Sequence, residues 1–102
     1  MSTVIYDMLK EEKHRNLEMQ EVYKREIEML PKGSISEREI SGRTYYYLKY
    51  RQGAKVKNDY IGKDKSAAEK IKRETEKRKY LQAVLKRLEI EYRQISVVVK
   101  DL

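Results

Sequence analysis

The sequence contains no cysteine, no tryptophan and no phenylalanine, and it has a single proline and a single histidine. Without cysteine, the chain cannot form a disulfide, use a thiol as a nucleophile or bind a metal through thiolates. The histidine, His14, has no second histidine or cysteine with which to form a zinc site. Glycine-rich phosphate-binding motifs and the nucleophile-elbow motif are also missing. We therefore expect a protein that is not an enzyme and that uses no metal or other cofactor.

Long apolar runs are absent as well. No stretch approaches the roughly 20 apolar residues that are needed to span a bilayer. The first residues lack the basic and apolar regions of a signal peptide. We expect a cytoplasmic protein that does not interact with a membrane.

The chain is instead rich in charge and in tyrosine. Charged residues make up 40% of its 102 residues, the net charge is +7, and nine tyrosines supply all the aromatic content. The first 30 residues are slightly acidic, so the positive charge lies in the middle and in the last third. This asymmetry favours a nucleic acid or an acidic protein as the partner, although a merely solvated lysine-rich surface would look similar.

Glycine and proline divide the chain into three parts. Pro31 and all four glycines (Gly33, Gly42, Gly53 and Gly62) fall in the middle, at spacings typical of turns between short strands. We predict a single α+β domain with a long helix over residues 1–30, a three-stranded antiparallel meander over 31–64 and a long helix over 65–102. The predicted strands are Ile35–Ile40, Thr44–Arg51 and Lys55–Ile61, with turns at 41–43 and 52–54.

Both helices carry apolar stripes. The first is expected to bury Ile5, Leu9, Met19, Tyr23 and Leu30, with Met8, Val22 and Ile27 at the edges of the stripe. In the last, Ser66 and Glu69 form a predicted capping box. Beyond it lies a coiled-coil seam of apolar residues three and four apart: Leu81, Leu85, Leu88, Tyr92, Ile95, Val99 and Leu102. This seam either packs on the first helix as an antiparallel hairpin or serves oligomerisation, as in a homodimer.

Strand alternation predicts two different faces for the sheet. Tyr46, Leu48, Tyr50, Val56 and Tyr60 are expected on an apolar face covered by Ala67, Ala68 and Ile71. The other face is predicted to present Tyr45, Tyr47, Lys49, Arg51, Lys55 and Lys57. Lysine and arginine can neutralise phosphates, arginine can read guanine, and tyrosine can stack on bases. The candidate nucleic-acid-binding residues are these six together with Arg43, Lys70 and Arg73.

Two resemblances bear on this surface. The segment from Gly42 to Lys55, with Tyr60-Ile61-Gly62 and then Lys65–Glu69, resembles the arm-type DNA-binding domain of tyrosine recombinases. That resemblance implies a three-stranded sheet packed on a helix and inserted in the major groove, with contacts from the same six strand residues. The whole chain resembles an uncharacterised family of small bacterial proteins that share the Leu30–Ser34, Tyr45–Leu48 and Tyr60–Lys63 elements.

We therefore expect a nucleic-acid-binding accessory protein of bacterial or phage origin, with DNA as the favoured ligand. The alternative is a protein-interaction module, such as an antitoxin-like partner or a phage-encoded, anti-CRISPR-type inhibitor of a defence nuclease. A small tyrosine-rich surface also suits a protein interface. A third alternative is a purely structural role, in which the seam that begins at Leu81 is an assembly element.

Overall fold

A computed structural model describes residues 3–100 of the chain. Its elements are α1 (Thr3–Met29), β1 (Ser34–Ile40), β2 (Arg43–Gln52), β3 (Lys55–Gly62) and α2 (Lys65–Val98). The predicted α+β class and the predicted order of elements are therefore confirmed. The chain forms two compact units: α1 with the part of α2 that begins at Tyr80, and residues Leu30–Lys79. Neither helix in the described part of the chain combines the length and the hydropathy needed to cross a membrane.

The helical unit is an antiparallel hairpin within one chain. The Asn16 amide donates to the carbonyl oxygen of Leu88 at 2.9 Å, and the Lys13 ammonium donates to that of Val99 at 2.6 Å. The later residue on α1 thus meets the earlier residue on α2. The predicted α2 seam faces α1, since Leu81, Leu88 and Val99 are buried; Leu85, Tyr92 and Ile95 are partly buried. Leu102, the last predicted seam residue, lies outside the described residues.

The predicted apolar stripe of α1 is wrong at four of its positions. Ile5, Met8, Met19 and Val22 are exposed, and the buried positions include three polar residues, Lys13, Asn16 and Gln20. With Tyr6, Leu9, Tyr23 and Ile27 they repeat every three and four residues, which is the spacing of the α2 seam. Hydropathy does not predict the burial of these three polar residues, because it does not show that their polar ends have partners. Gln20 donates to the Asn16 oxygen at 2.7 Å, and the Lys13 ammonium also lies 5.1 Å from the ring centre of Tyr92.

The sheet has the order β1-β2-β3 and is antiparallel throughout. Two-residue turns connect its strands, because Ile40 pairs with Arg43 and Gln52 pairs with Lys55. In the first turn both central residues have positive φ, 53° at Ser41 and 77° at Gly42, as a type I′ turn requires. In the second turn only Gly53 has a positive φ, 62°, which fits a type II′ turn. Both turns are one residue shorter than predicted.

Helix α2 begins one residue after an aspartate cap. The Asp64 carboxylate accepts from the Ser66 amide at 2.9 Å and from the Ser66 hydroxyl at 2.8 Å. These hydrogen bonds hold the pKa of Asp64 below its ordinary value. The predicted capping box at Ser66 and Glu69 is therefore wrong. The helix starts at Lys65, so Asp64 occupies the N-cap and Ser66 lies inside the first turn.

The first turns of α2 cover one face of the sheet, as predicted. Ala68 and Thr75 are buried on the helix, and Tyr46 is buried on β2. Ala68, Tyr46 and Ile35 line the same small cavity of about 190 Å³ between helix and sheet. The small alanine side chain lets the helix approach the strands closely enough to bury the tyrosine ring.

Candidate nucleic-acid interface

Strand pairing sorts the sheet residues into two faces. Tyr47 lies opposite Ser36 and Tyr60, Lys49 opposite Ser34 and Asn58, and Arg51 opposite Val56. Paired residues point to the same side of a sheet, and neighbours along a strand point to opposite sides. The side away from α2, which we call the open face, therefore consists of Ser34, Ser36, Arg38, Ile40, Arg43, Tyr45, Tyr47, Lys49, Arg51, Val56, Asn58 and Tyr60.

The predicted faces of β3 are reversed. Val56 and Tyr60 were expected under α2 but lie on the open face, whereas Lys55 and Lys57 pair with Gln52 and Tyr50 on the covered side. Side-chain contacts agree with this pairing, since the Tyr47 and Tyr60 rings lie 5.4 Å apart between centres. The physical reason is the turn at Gly53-Ala54. A turn shorter by one residue shifts the register by one, and each such shift exchanges the two faces of a strand.

Three tyrosines form an aromatic cluster on the open face, in which Tyr60 is exposed and Tyr45 and Tyr47 are half-buried. The Tyr60 ring lies 5.4 Å from Tyr47 and 6.4 Å from Tyr45, both in tilted arrangements. The Arg38 guanidinium lies 4.9 Å from the Tyr47 ring centre, and the Lys63 ammonium lies 5.6 Å from that of Tyr45. Tyr60 nevertheless remains 56% exposed, so the cluster can still accept a stacking partner.

Charge is segregated between the two sides of the sheet. Arg38, Arg43, Lys49 and Arg51 lie on the open face by their strand positions. The strand carboxylates pair on the other side: Glu39 with Thr44, Glu37 with Tyr46, and Asp59 with Leu48. The three strands, all of which the structure describes, thus place four cations and no carboxylate on the open face. This arrangement gives that face a positive potential that attracts polyanions.

On the covered side, two charged residues interact with Tyr50. A hydrogen bond with Asp59, followed by burial, raises the pKa of Tyr50. The Lys32 ammonium lies 6.0 Å from the centre of the same ring. Lys55 and Lys57 share this side and are exposed near the β2–β3 turn. They do not join the cations of the open face, contrary to the prediction.

Two further candidates on α2 are also separated from the open face. Lys70 and Arg73 are exposed and lie about 100–160° around the helix from Ala68, Ile71 and Thr75. They therefore point away from the sheet that α2 covers. A different lysine of the same basic stretch, Lys79, lines an open cleft of about 450 Å³ together with Lys49 and Arg51.

A glycine holds the start of β1 against β2. Gly33 has a φ of 113°, and a Cβ atom there would overlap the carbonyl oxygen of Lys49 and approach the Cβ of Tyr50 to 2.9 Å. Only glycine tolerates both this backbone angle and this approach. The residue thereby sets where β1 lies beside the part of β2 that presents Lys49 and Arg51.

The predicted surface lacks Arg38, Tyr60 and Lys63. Arg38 is absent from it because the predicted alternation covers only the second and third strands. Tyr60 was assigned to the wrong side for the reason given above. A two-residue turn at Gly53-Ala54 is the signal that would have placed it correctly, since glycine at the first central position is typical of type II′ hairpins.

Comparisons with known proteins give one match. A family model described as a domain of unknown function, DUF6788, matches residues 8–73, which include most of α1, the whole sheet and the first turns of α2. No curated protein and no solved structure matches the chain. The matched segment covers more than half of the chain. The prediction of an uncharacterised family is confirmed, and the chain belongs to the DUF6788 family.

Proposed function

We propose that this protein is a non-enzymatic, cytoplasmic nucleic-acid-binding accessory protein that binds DNA through the open face of its sheet. The observation that supports the proposal is the combination on that face of three clustered tyrosines with four cations and no strand carboxylate. Phosphate contacts need cations, and base contacts need planar or hydrogen-bonding groups. A solvated structural face requires neither charge segregation nor a cluster of partly exposed rings.

The dimensions of the sheet favour duplex DNA as the ligand. Neighbouring strands lie about 4.8 Å apart, so three strands span roughly 10 Å between the outer backbones. The major groove is about 12 Å wide and admits a small β structure. The resemblance of residues 42–55 to the arm-type domain of tyrosine recombinases supports the same mode. In that mode Arg38, Lys49 and Arg51 would contact phosphates or guanine edges.

The test is binding to a fluorescent duplex of about 20 base pairs, measured by anisotropy between about 50 and 200 mM salt. Single-stranded DNA and duplex RNA of the same sequence serve as competitors. We expect an affinity that falls steeply with salt, with a slope of about −0.9 for each phosphate contacted. If no duplex binds at about 50 mM salt, or if the salt slope is flat, the proposal is wrong.

The chain offers a matched pair of variants. Lys49→Ala with Arg51→Ala removes two cations from the open face, and Lys55→Ala with Lys57→Ala removes two from the other side of the same hairpin. We expect the first variant to weaken binding roughly 10- to 100-fold and to reduce the salt slope by 1–2. The second variant should change binding by less than about 3-fold.

Equal losses in the two variants would mean that net charge, and not the open face, attracts the nucleic acid. Absence of nucleic-acid binding together with stoichiometric capture of one acidic protein would favour the protein-interaction alternative. In that case the same open face would be the interface, because its aromatic and arginine content suits protein contacts too.

A further inference from the structure

A second ordered pattern runs along α1, on a side that the hairpin leaves exposed. Ile5, Met8, Met19 and Val22 are all exposed, and Met8 is 61% accessible. Glu12 and Arg15 occupy the positions between these two apolar pairs. We call these six residues the outer stripe. Their successive spacings of three, four, three, four and three residues place them in one line on the helix, about a quarter of a turn from the buried face.

The outer stripe is symmetric about its centre. From the point between Lys13 and His14, both directions give a charged residue, then a methionine, then a β-branched residue. The two charges differ in sign, Glu12 on one side and Arg15 on the other. They already form an ion pair within the helix, with Arg15 donating to one Glu12 oxygen at 2.6 and 3.1 Å.

This symmetry identifies the surface that fits the outer stripe. We propose that two copies of the chain associate through antiparallel contact of their α1 outer stripes. In that arrangement Ile5 faces the partner's Val22, Met8 faces the partner's Met19, and Glu12 faces the partner's Arg15. Every contact occurs twice, as a two-fold axis demands.

Charge decides both the orientation and the partner. A parallel pair would place Glu12 against the partner's Glu12 and Arg15 against the partner's Arg15, which is unfavourable in an apolar surrounding. The antiparallel pair turns two ion pairs into a four-charge ring at the centre of the interface. An unrelated helix would have to reproduce the same order of apolar and charged residues, whereas a second copy supplies it without further conditions.

The interface differs from the one expected from the sequence. The seam from Leu81 to Val99 was a candidate for dimerisation, but it packs on α1 within the chain. The outer stripe extends over about 26 Å from Ile5 to Val22. An interface of this length is at the weak end of specific association, so we expect a dissociation constant on the order of 1–100 µM.

The test is sedimentation equilibrium of the full chain from about 2 to 200 µM, a range that spans the expected dissociation constant. The variants are Glu12→Arg, Arg15→Glu and the double exchange, which combines the two substitutions in one chain. Each single exchange places like charges across the axis and should weaken the dimer at least 10-fold. The double exchange restores opposite charges and should return the dissociation constant to within about 3-fold of the original.

Glu21→Arg is the matched control. Glu21 forms an exposed ion pair with Lys24, also three residues apart on α1, but it lies off the outer stripe. This variant changes the net charge and breaks a helix pair just as Glu12→Arg does, and it should leave the dimer unchanged. Far-UV circular dichroism checks that all four variants remain helical.

Three results would overturn the proposal. The chain could be monomeric at every concentration, Glu21→Arg could weaken association as much as Glu12→Arg, or the double exchange could fail to restore it. A further variant, Met8→Lys, tests the apolar contacts independently of the ion pairs. It should abolish the dimer while leaving nucleic-acid binding by the monomer within about 3-fold, so that failure of this proposal and failure of the proposed function are distinguishable.

Discussion

The buried amide pair of the hairpin gives a prediction whose size follows from its geometry. Asn16 is 2% exposed, donates to the carbonyl oxygen of Leu88 at 2.9 Å and accepts from Gln20 at 2.7 Å. Asn16→Ala removes both hydrogen bonds, each worth about 1 kcal/mol net. It also leaves the buried Gln20 amide without this acceptor, which costs about 1–3 kcal/mol. Against this, alanine gains about 0.6 kcal/mol of helix propensity.

We therefore expect Asn16→Ala to lower the free energy of unfolding by about 2–4 kcal/mol. Gln20→Ala loses one hydrogen bond and leaves the Asn16 oxygen without its donor, so we expect a loss of about 1–2 kcal/mol. In the double variant neither amide is left unpaired by the other. Its loss should be smaller than the sum of the two single losses by about 1–2 kcal/mol.

Urea unfolding, followed by circular dichroism at low micromolar concentration, measures all three variants. The control cycle is Glu21→Ala with Lys24→Ala, an exposed pair at 3.7 Å on the same helix, for which the coupling should stay below about 0.5 kcal/mol. Additive losses at positions 16 and 20 would refute the reasoning, because they would mean that the two amides do not stabilise each other. A loss below about 0.5 kcal/mol for Asn16→Ala would refute it as well.

Three further predictions test the remaining elements. Gly33→Ala should lower stability by about 2 kcal/mol or more, because its Cβ meets backbone, whereas Gly42→Ala, in open space at positive φ, should cost about 1 kcal/mol; thermal unfolding compares them. Asp64→Ala should lower the melting temperature at pH 7. Because the pKa of Asp64 is lower in the folded than in the unfolded chain, the stabilisation by its carboxylate is complete above about pH 4. The difference in melting temperature between the two proteins should therefore disappear only as the pH falls from about 4 through the folded pKa. Leu88→Ala should cost about 3 kcal/mol by urea unfolding and the exposed Tyr80→Ala less than about 0.5.

A specific result would contradict each of these three predictions. Equal losses at the two glycines would mean that backbone angle alone, and not close approach, matters at position 33. A difference at position 64 that persists to pH 2 would rule out the carboxylate as the cap. Equal losses at positions 88 and 80 would contradict the assignment of the seam to the interior of the hairpin.

Much of the fold follows directly from local patterns in the sequence. Four glycines and one proline confined to the middle give the helix–sheet–helix order, because helices tolerate neither residue well in their interior. The seam from Leu81 to Val99 can be predicted because all its members are apolar. The faces of β2 can be predicted from strand alternation, which assigns Tyr46 and Leu48 to the covered side and Tyr47 to the other side.

The parts that could not be predicted depend on contacts between distant residues. Lys13, Asn16 and Gln20 look like solvated residues until their partners on α2 are known. The faces of β3 depend on the length of one turn, and although Gly53 suits a two-residue type II′ turn, a glycine also occurs in three-residue turns. The outer stripe could not be predicted for a related reason, since hydropathy alone places Met19 on the apolar stripe of α1 and Met8 at its edge.

The β2–β3 turn makes the surface chemistry of this protein unusually sensitive to insertions. One extra residue beside Gly53, with the turn kept at two residues, would shift the pairing of β3 with β2 by one position and place Lys55, Lys57 and Asp59 where Val56, Asn58 and Tyr60 now lie. The tyrosine cluster would lose one ring and the open face would acquire a carboxylate, although no residue of the face had been substituted. Within the family, the register of the β2–β3 hairpin should therefore matter for the ligand as well as the identity of the strand residues.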